Sequence, residues 1–214
     1  MKIVVVGASG RIGARIVSEA ANRGHEVTAV ARHVENIPAN NAVKVVEADA
    51  GNVDELAKLL EGQDALVSSI SPRGNNDADS YLETIKAILE SAKQSNVPYT
   101  LIVGGLSNLF APDGIRILDK MKDVVPEPLR MEITTVAEAR KLVENSDINW
   151  TFFCPGGLID PGERTGHFTV GGEQAAFNFG DGTKISMEDY AVAAIDELEN
   201  PQYERKLFHA YYAE

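Results

Sequence analysis

Short apolar runs alternate along this chain with segments whose apolar residues return every three to four positions. Ile3-Val4-Val5-Val6, Val27 to Ala31, Val43 to Glu47, Asp64 to Ser69, Tyr99 to Val103 and Ile148 to Cys154 read as strands. They are short, and most are rich in β-branched or aromatic residues, as strands buried on both faces are. Between them lie helix patterns. Ile12, Ile16 and Ala20 share one face before Gly24-His25 closes the helix. Asn52 with Glu55 three residues on opens another, as a capping pair does. From about Asp77 to Ser95, Tyr81, Ile85, Ile88, Leu89 and Ala92 fall on one side. Pro126 and Pro128 bracket a helix start that runs to about Glu144, Ser186-Met187-Glu188-Asp189 opens a last helix, and Lys206 to Tyr211 closes as a strand. Such alternation predicts an α/β fold, a doubly wound parallel sheet with helices on both faces and a strand order close to 3-2-1-4-5.

Two stretches break the pattern. Ala111-Pro112-Asp113-Gly114 reads as a turn, and residues 155–186 hold ten Gly or Pro with only short strand-like pieces at Phe168 to Val170 and Ala176 to Phe179. That composition predicts loop and hairpin outside the core, on the substrate side of one domain spanning residues 1–214. Neither a repeat nor a linker interrupts it.

Composition narrows the function classes. With 20 Lys and Arg against 32 Asp and Glu the net charge is −12, and the resulting field opposes nucleic acid and anionic lipid as partners. No apolar run approaches the ~20 residues that span a bilayer, and the first is too short and too early for a signal peptide, so a cytoplasmic location is expected. The lone cysteine, Cys154, excludes an internal disulfide and a cysteine-based metal cluster; its apolar neighbours predict a buried, inert thiol. No metal is expected, and the chain reads as a monomer or homodimer.

The chemistry concentrates at Gly7-Ala8-Ser9-Gly10-Arg11-Ile12-Gly13, behind the first strand and ahead of a helix. A buried strand delivers the chain to a tight turn, glycines let backbone approach a pyrophosphate, and the helix start supplies free N–H groups and partial positive charge. Gly7, Ser9, Gly10, Arg11, Ile12 and Gly13 are therefore expected to hold a dinucleotide in a Rossmann-type fold. Where an NAD site carries an acid about 20 residues on, this chain has Ala31-Arg32-His33. Arginine suits a 2′-phosphate, so NADP(H) is preferred over NAD(H), with Arg32 on one side and Arg11 on the other; the competing reading makes both solvated surface arginines.

Ligands of an open parallel sheet sit beyond the carboxyl ends of its strands. There, Asp49 after the third strand is a candidate adenine contact or a turn cap, Ser69 after the fourth lies on the nicotinamide side, and Gly104 after the fifth lies near the nicotinamide ring. Ser107 offers a hydroxyl as the candidate catalytic and substrate-orienting group, or as a helix cap. Arg164, in the loop Pro161 to His167, is a candidate anion contact in a flexible substrate cover, or an incidental surface arginine; His167 is more simply a solvated histidine. No tyrosine carries lysine four residues on: Tyr81 is followed there by Ile85, Tyr99 by Val103 and Tyr190 by Ala194. Carbonyl reduction that relies on such a pair is disfavoured, while hydride transfer between aligned rings stays open.

The glycine turn, Val103-Gly104-Gly105, Pro161-Gly162-Glu163-Arg164-Thr165-Gly166 and Ile185-Ser186-Met187-Glu188-Asp189-Tyr190-Ala191 together resemble the atypical short-chain dehydrogenase/reductase group over essentially the whole chain. That group includes bacterial NADH-flavin reductases, biliverdin reductase B and NmrA-like proteins. The resemblance implies reduction of a small-molecule electron acceptor, with FMN or FAD as substrate in place of a tightly bound cofactor, or a quinone, and a serine after the fifth strand at Ser107. It also implies an alternative, a non-catalytic NADP(H)-binding redox sensor that regulates a protein partner. The shortened, proline-bracketed region from Ala111 to Pro128 departs from the group's pattern.

Overall fold

The computed structural model describes residues 1–37, 41–73 and 77–213. Its centre is an eight-stranded sheet, built from β1 (Lys2–Val6), β2 (Glu26–Ala31), β3 (Val43–Glu47), β4 (Ala65–Ser68), β5 (Tyr99–Val103), β6 (Trp150–Pro155), β8 (Thr169–Gly171) and β10 (Lys206–Tyr211). The order is β3-β2-β1-β4-β5-β6-β10-β8, and only β8 runs antiparallel, against β10. Reversal of the strand order between β1 and β4 makes the crevice in which doubly wound sheets bind ligands.

Helices cover both faces, as continuous apolar strands require. On one face α1 (Arg11–Asn22) packs with α6 (Met187–Glu199), while α2 (Val53–Leu60), α3 (Ala78–Ser95) and α5 (Glu127–Glu144) cover the other. The expected face of α3 is the buried one, from Tyr81 to Ala92. Expected capping also recurs: the Asn52 side chain accepts from the Glu55 amide at 3.3 Å, and Ser186 Oγ accepts from the Asp189 amide at 3.0 Å. Beneath α6, Phe153 stacks between Tyr190 and Phe208 at 3.9 and 4.2 Å, and the Tyr190 hydroxyl donates to the Phe153 carbonyl.

Residues 155–186 are more ordered than their glycine content predicts. β7 (Leu158–Asp160) pairs in parallel with β9 (Lys184–Ser186), and β8 extends the main sheet. The piece Ala176 to Phe179 is not a strand, yet Ala175 and Phe177 are buried, with Phe177 set against His209 and Tyr211. Part of the segment therefore belongs to the core: Phe177 caps the end of β10, a contact distant in sequence that no local pattern encodes. A short helix, α4 (Ile117–Met121), also interrupts the region after β5. Among the described residues no helix is long and apolar enough to cross a membrane.

Candidate functional site

The glycine turn is built by close approach. Gly7 has φ +77°, where side chains are strained, and a Cβ there would lie 2.9 Å from the backbone of Ser69. A Cβ on Gly13 would meet the Gly7 carbonyl oxygen at 2.2 Å and Ser69 Oγ at 2.5 Å. The first turn of α1 thus rests directly on the end of β1 and on the loop after β4. Ser69 Oγ donates to the carbonyls of Val6 and Gly7 at 3.1 and 3.2 Å, clasping the turn.

Gly10 is the N-cap of α1 and offers no side chain to the first helical amides. The N–H groups of Arg11, Ile12 and Gly13 have no intrahelical acceptor at a helix start, and α1 has no acid in its first turn. By contrast α2 carries Asp54 and Glu55 there, and α6 carries Glu188 and Asp189. An acid at this position competes with a bound phosphate, so the α1 start is the one fitted for an anion.

A cavity of about 300 Å³ opens at this turn, lined by Gly7, Ser9, Gly10, Arg32, Asp49 and Ser69 among others. Arg32 stands beside His33 at the end of β2. Among the described residues it is the arginine with no ion pair, hydrogen bond or ring contact; Arg11, Arg15, Arg23, Arg73, Arg116, Arg130, Arg140, Arg164 and Arg205 all have one. Asp49 closes a tight turn, its Oδ1 accepting from the Gly51 amide at 2.9 Å. Ile70, Arg73, Tyr81 and Thr84 also line the cavity. Arg73 is not among the residues expected at the site, although its charge was an available signal, and Tyr81 is expected only on the buried face of α3. Burial pushes the Tyr81 phenol up, and the nearby Glu132 carboxylate adds to this.

The remaining expected residues lie off this cavity. Arg11 is exposed and faces Asp160 of β7 at 3.5 Å. Ile12 packs against the α6-side core. Gly104 is needed for packing, since a Cβ would strike the Phe152 ring at 2.2 Å. Ser107 sits in a 3₁₀ turn (Leu106–Asn108) after β5, buried, its Oγ without a hydrogen-bond partner among the described residues. A buried unpaired hydroxyl costs free energy. The next turn is held by buried Arg140 of α5, which donates to the Asn108 carbonyl at 2.6 Å and pairs with Glu144 and Glu173.

Arg164 is elsewhere. Its Nε and Nη2 donate to the two carboxylate oxygens of Glu19, midway along α1, at 2.8 and 2.7 Å. The rest of its loop is equally fastened. The Gly162 amide donates to Glu188, the amides of Thr165 and Gly166 to Asp189, and Ser186 Oγ to the Glu163 carbonyl. The anion contact expected of Arg164 gives way to a clamp on α1, and the flexible cover to a pinned strap. The Arg164 hydrogen bond is the main cause that holds the Glu19 carboxyl below its ordinary range. Burial alone would raise Asp189, but the Thr165 hydroxyl, the Gly166 amide, the Tyr212 hydroxyl and the Thr165 amide outweigh it and lower its pKa.

A free helix start, a glycine turn closed onto the β4 loop and an uncommitted arginine after β2 fit a dinucleotide. Residues 7–201 match the family model described as NAD(P)H-binding. The chain belongs to that family. It is 31% identical to the uncharacterized protein YwnB of Bacillus subtilis over 212 residues, covering 97% of each chain. Among solved structures it resembles a protein of Bacteroides thetaiotaomicron provisionally named an epimerase, at 36% identity and TM-score 0.88, covering 100% of this chain and 97% of that one. It also resembles one from Streptococcus pneumoniae provisionally named an NADH-flavin reductase, at 27% identity and TM-score 0.85, with both chains wholly covered.

Proposed function

We propose that this protein is a cytoplasmic NADPH-preferring reductase of a small planar electron acceptor, a free flavin or a quinone. Bound NADPH supplies a hydride from its nicotinamide C4, and a proton from solvent completes the two-electron reduction of the acceptor. The chain's part is binding and alignment. Gly7, Ser9 and Gly10 with the amides of Arg11 to Gly13 hold the pyrophosphate, Arg32 takes the 2′-phosphate, and Asp49 flanks the adenine. Ser69 keeps the turn shut from beneath. Ser107 presents its hydroxyl on the nicotinamide side to orient the acceptor.

The observation that carries the reading is Arg32, unpaired on the wall of the cavity that begins at the glycine turn. In a chain with 32 Asp and Glu this arginine pairs with none among the described residues, and a 2′-phosphate is the group it fits. The absence of a tyrosine with lysine four residues on argues against epimerase-type or alcohol dehydrogenase chemistry and for acceptors that need no placed acid. The test is to follow NADPH oxidation by absorbance with flavin and quinone acceptors, running NADH in parallel. Turnover that requires the protein and favours NADPH is expected; saturable NADPH binding without oxidation of any acceptor would make the protein a redox sensor instead.

A further inference from the structure

Beside the dinucleotide cavity lies a second one, also about 300 Å³, between α3 and the first turns of α5. Pro72, Arg73 and Asp77 line both. Its apolar wall is Pro128, Leu129 and Met131. Buried Thr135 lines it as well. The second cavity therefore adjoins the first through Pro72, Arg73 and Asp77.

Its charges are arranged against anions. Among the described residues Arg73 is the sole cation lining it, and its Nε and Nη2 already donate to the two oxygens of Glu132 at 2.9 and 2.8 Å. Asp77 contributes a further carboxylate, which accepts the Ser80 amide at 3.0 Å and caps α3. The Thr135 hydroxyl is spent on the Met131 carbonyl at 2.8 Å. An entering anion meets two carboxylates and a cation whose bidentate pair must first be broken, whereas an uncharged planar molecule meets proline, leucine and methionine.

We propose that this second cavity holds the electron acceptor and selects uncharged planar acceptors, with Glu132, locked to Arg73, and Asp77 turning anionic ones away. The proposal rests on the reductase reading. Its test is equilibrium binding, by quenching of flavin fluorescence, of riboflavin and of FMN to protein saturated with NADP. The two share one ring system and differ by the 5′-phosphate. Riboflavin is expected to bind about tenfold more tightly, a difference of one decade in dissociation constant. Glu132→Gln, which removes one carboxylate and frees Arg73, narrows that gap; Met131→Trp, which fills the cavity, weakens both flavins alike and leaves NADPH binding in place. Equal affinities, tighter FMN binding, no binding of either flavin, an unchanged ratio in Glu132→Gln, or unaltered flavin affinity in Met131→Trp would each overturn the proposal. Riboflavin-selective binding without any turnover would keep the cavity's selection of uncharged planar ligands and overturn the reductase reading; turnover with FMN as good as riboflavin would keep the reductase reading and overturn the selection.

Discussion

At the scale of single residues, the glycine turn is tightly determined. Gly13 has no room for a methyl group: its Cβ would sit 2.2 Å from the Gly7 carbonyl oxygen. Gly13→Ala is expected to lose about 1–3 kcal/mol, the usual range for overpacking a filled site, and to weaken NADPH binding because α1 must lift away from the turn. Chemical denaturation and a cofactor titration measure the two losses; an unchanged midpoint with unchanged affinity would contradict the account. Cys154 is wholly buried and burial pushes its thiol well up. It is therefore expected to resist alkylation at neutral pH in the native protein and to react once unfolded. Rapid labelling of the folded chain would show that β6 opens.

At the scale of elements, the strap over residues 161–167 is tied to α1 and α6 by carboxylates. Glu19, Glu188 and Asp189 all have folded pKa values below their ordinary ones. A depressed carboxylate stabilises the fold above its unfolded pKa, and that contribution is lost as pH falls through the lower folded value. The strap is thus expected to hold at neutral pH and to loosen in the acid range, below the ordinary carboxylate pKa near 4. Hydrogen-exchange protection of the Gly162, Thr165 and Gly166 amides, corrected for intrinsic rates, measures this. Protection that stays constant down to strongly acidic pH would refute the clamp.

The sheet itself was legible because each strand and its covering helix carry a local period. Tyr99 to Val103 and Lys206 to Tyr211 are strands with the very bounds their apolar runs suggest. The pairing of β7 with β9, the burial of Phe177 and the grip of Arg164 on Glu19 were not legible. Each depends on residues tens of positions apart meeting across the fold, and an arginine in a glycine-rich loop looks the same whether it faces ligand or carboxylate. Arg32 and Asp49 could be read as cavity candidates because they directly follow strands, whose carboxyl ends the topology gathers at one crevice. Arg73 and Glu132 escaped because their partnership joins a loop to a helix 59 residues away.

At the scale of the whole molecule, cofactor binding and stability are linked. A ligand that binds only the native state at a hundred times its dissociation constant adds about 2.7 kcal/mol. For a chain of this size that corresponds to about 5–10 °C in Tm. NADPH is expected to raise Tm by that amount and NADH, at equal concentration, by less. The net charge of −12 opposes any dinucleotide at long range, so the preference has to come from a local cation, and of the two arginines among the described residues of the cavity wall Arg32 is the one without another partner. The most direct measurement is a fluorescence titration of NADPH and NADH against the protein and its Arg32→Ala variant. Loss of a charge-assisted hydrogen bond, about 1.5–3 kcal/mol, predicts NADPH affinity falling about ten- to a hundredfold while NADH affinity stays nearly constant. An unchanged ratio of the two affinities in Arg32→Ala would contradict the assignment.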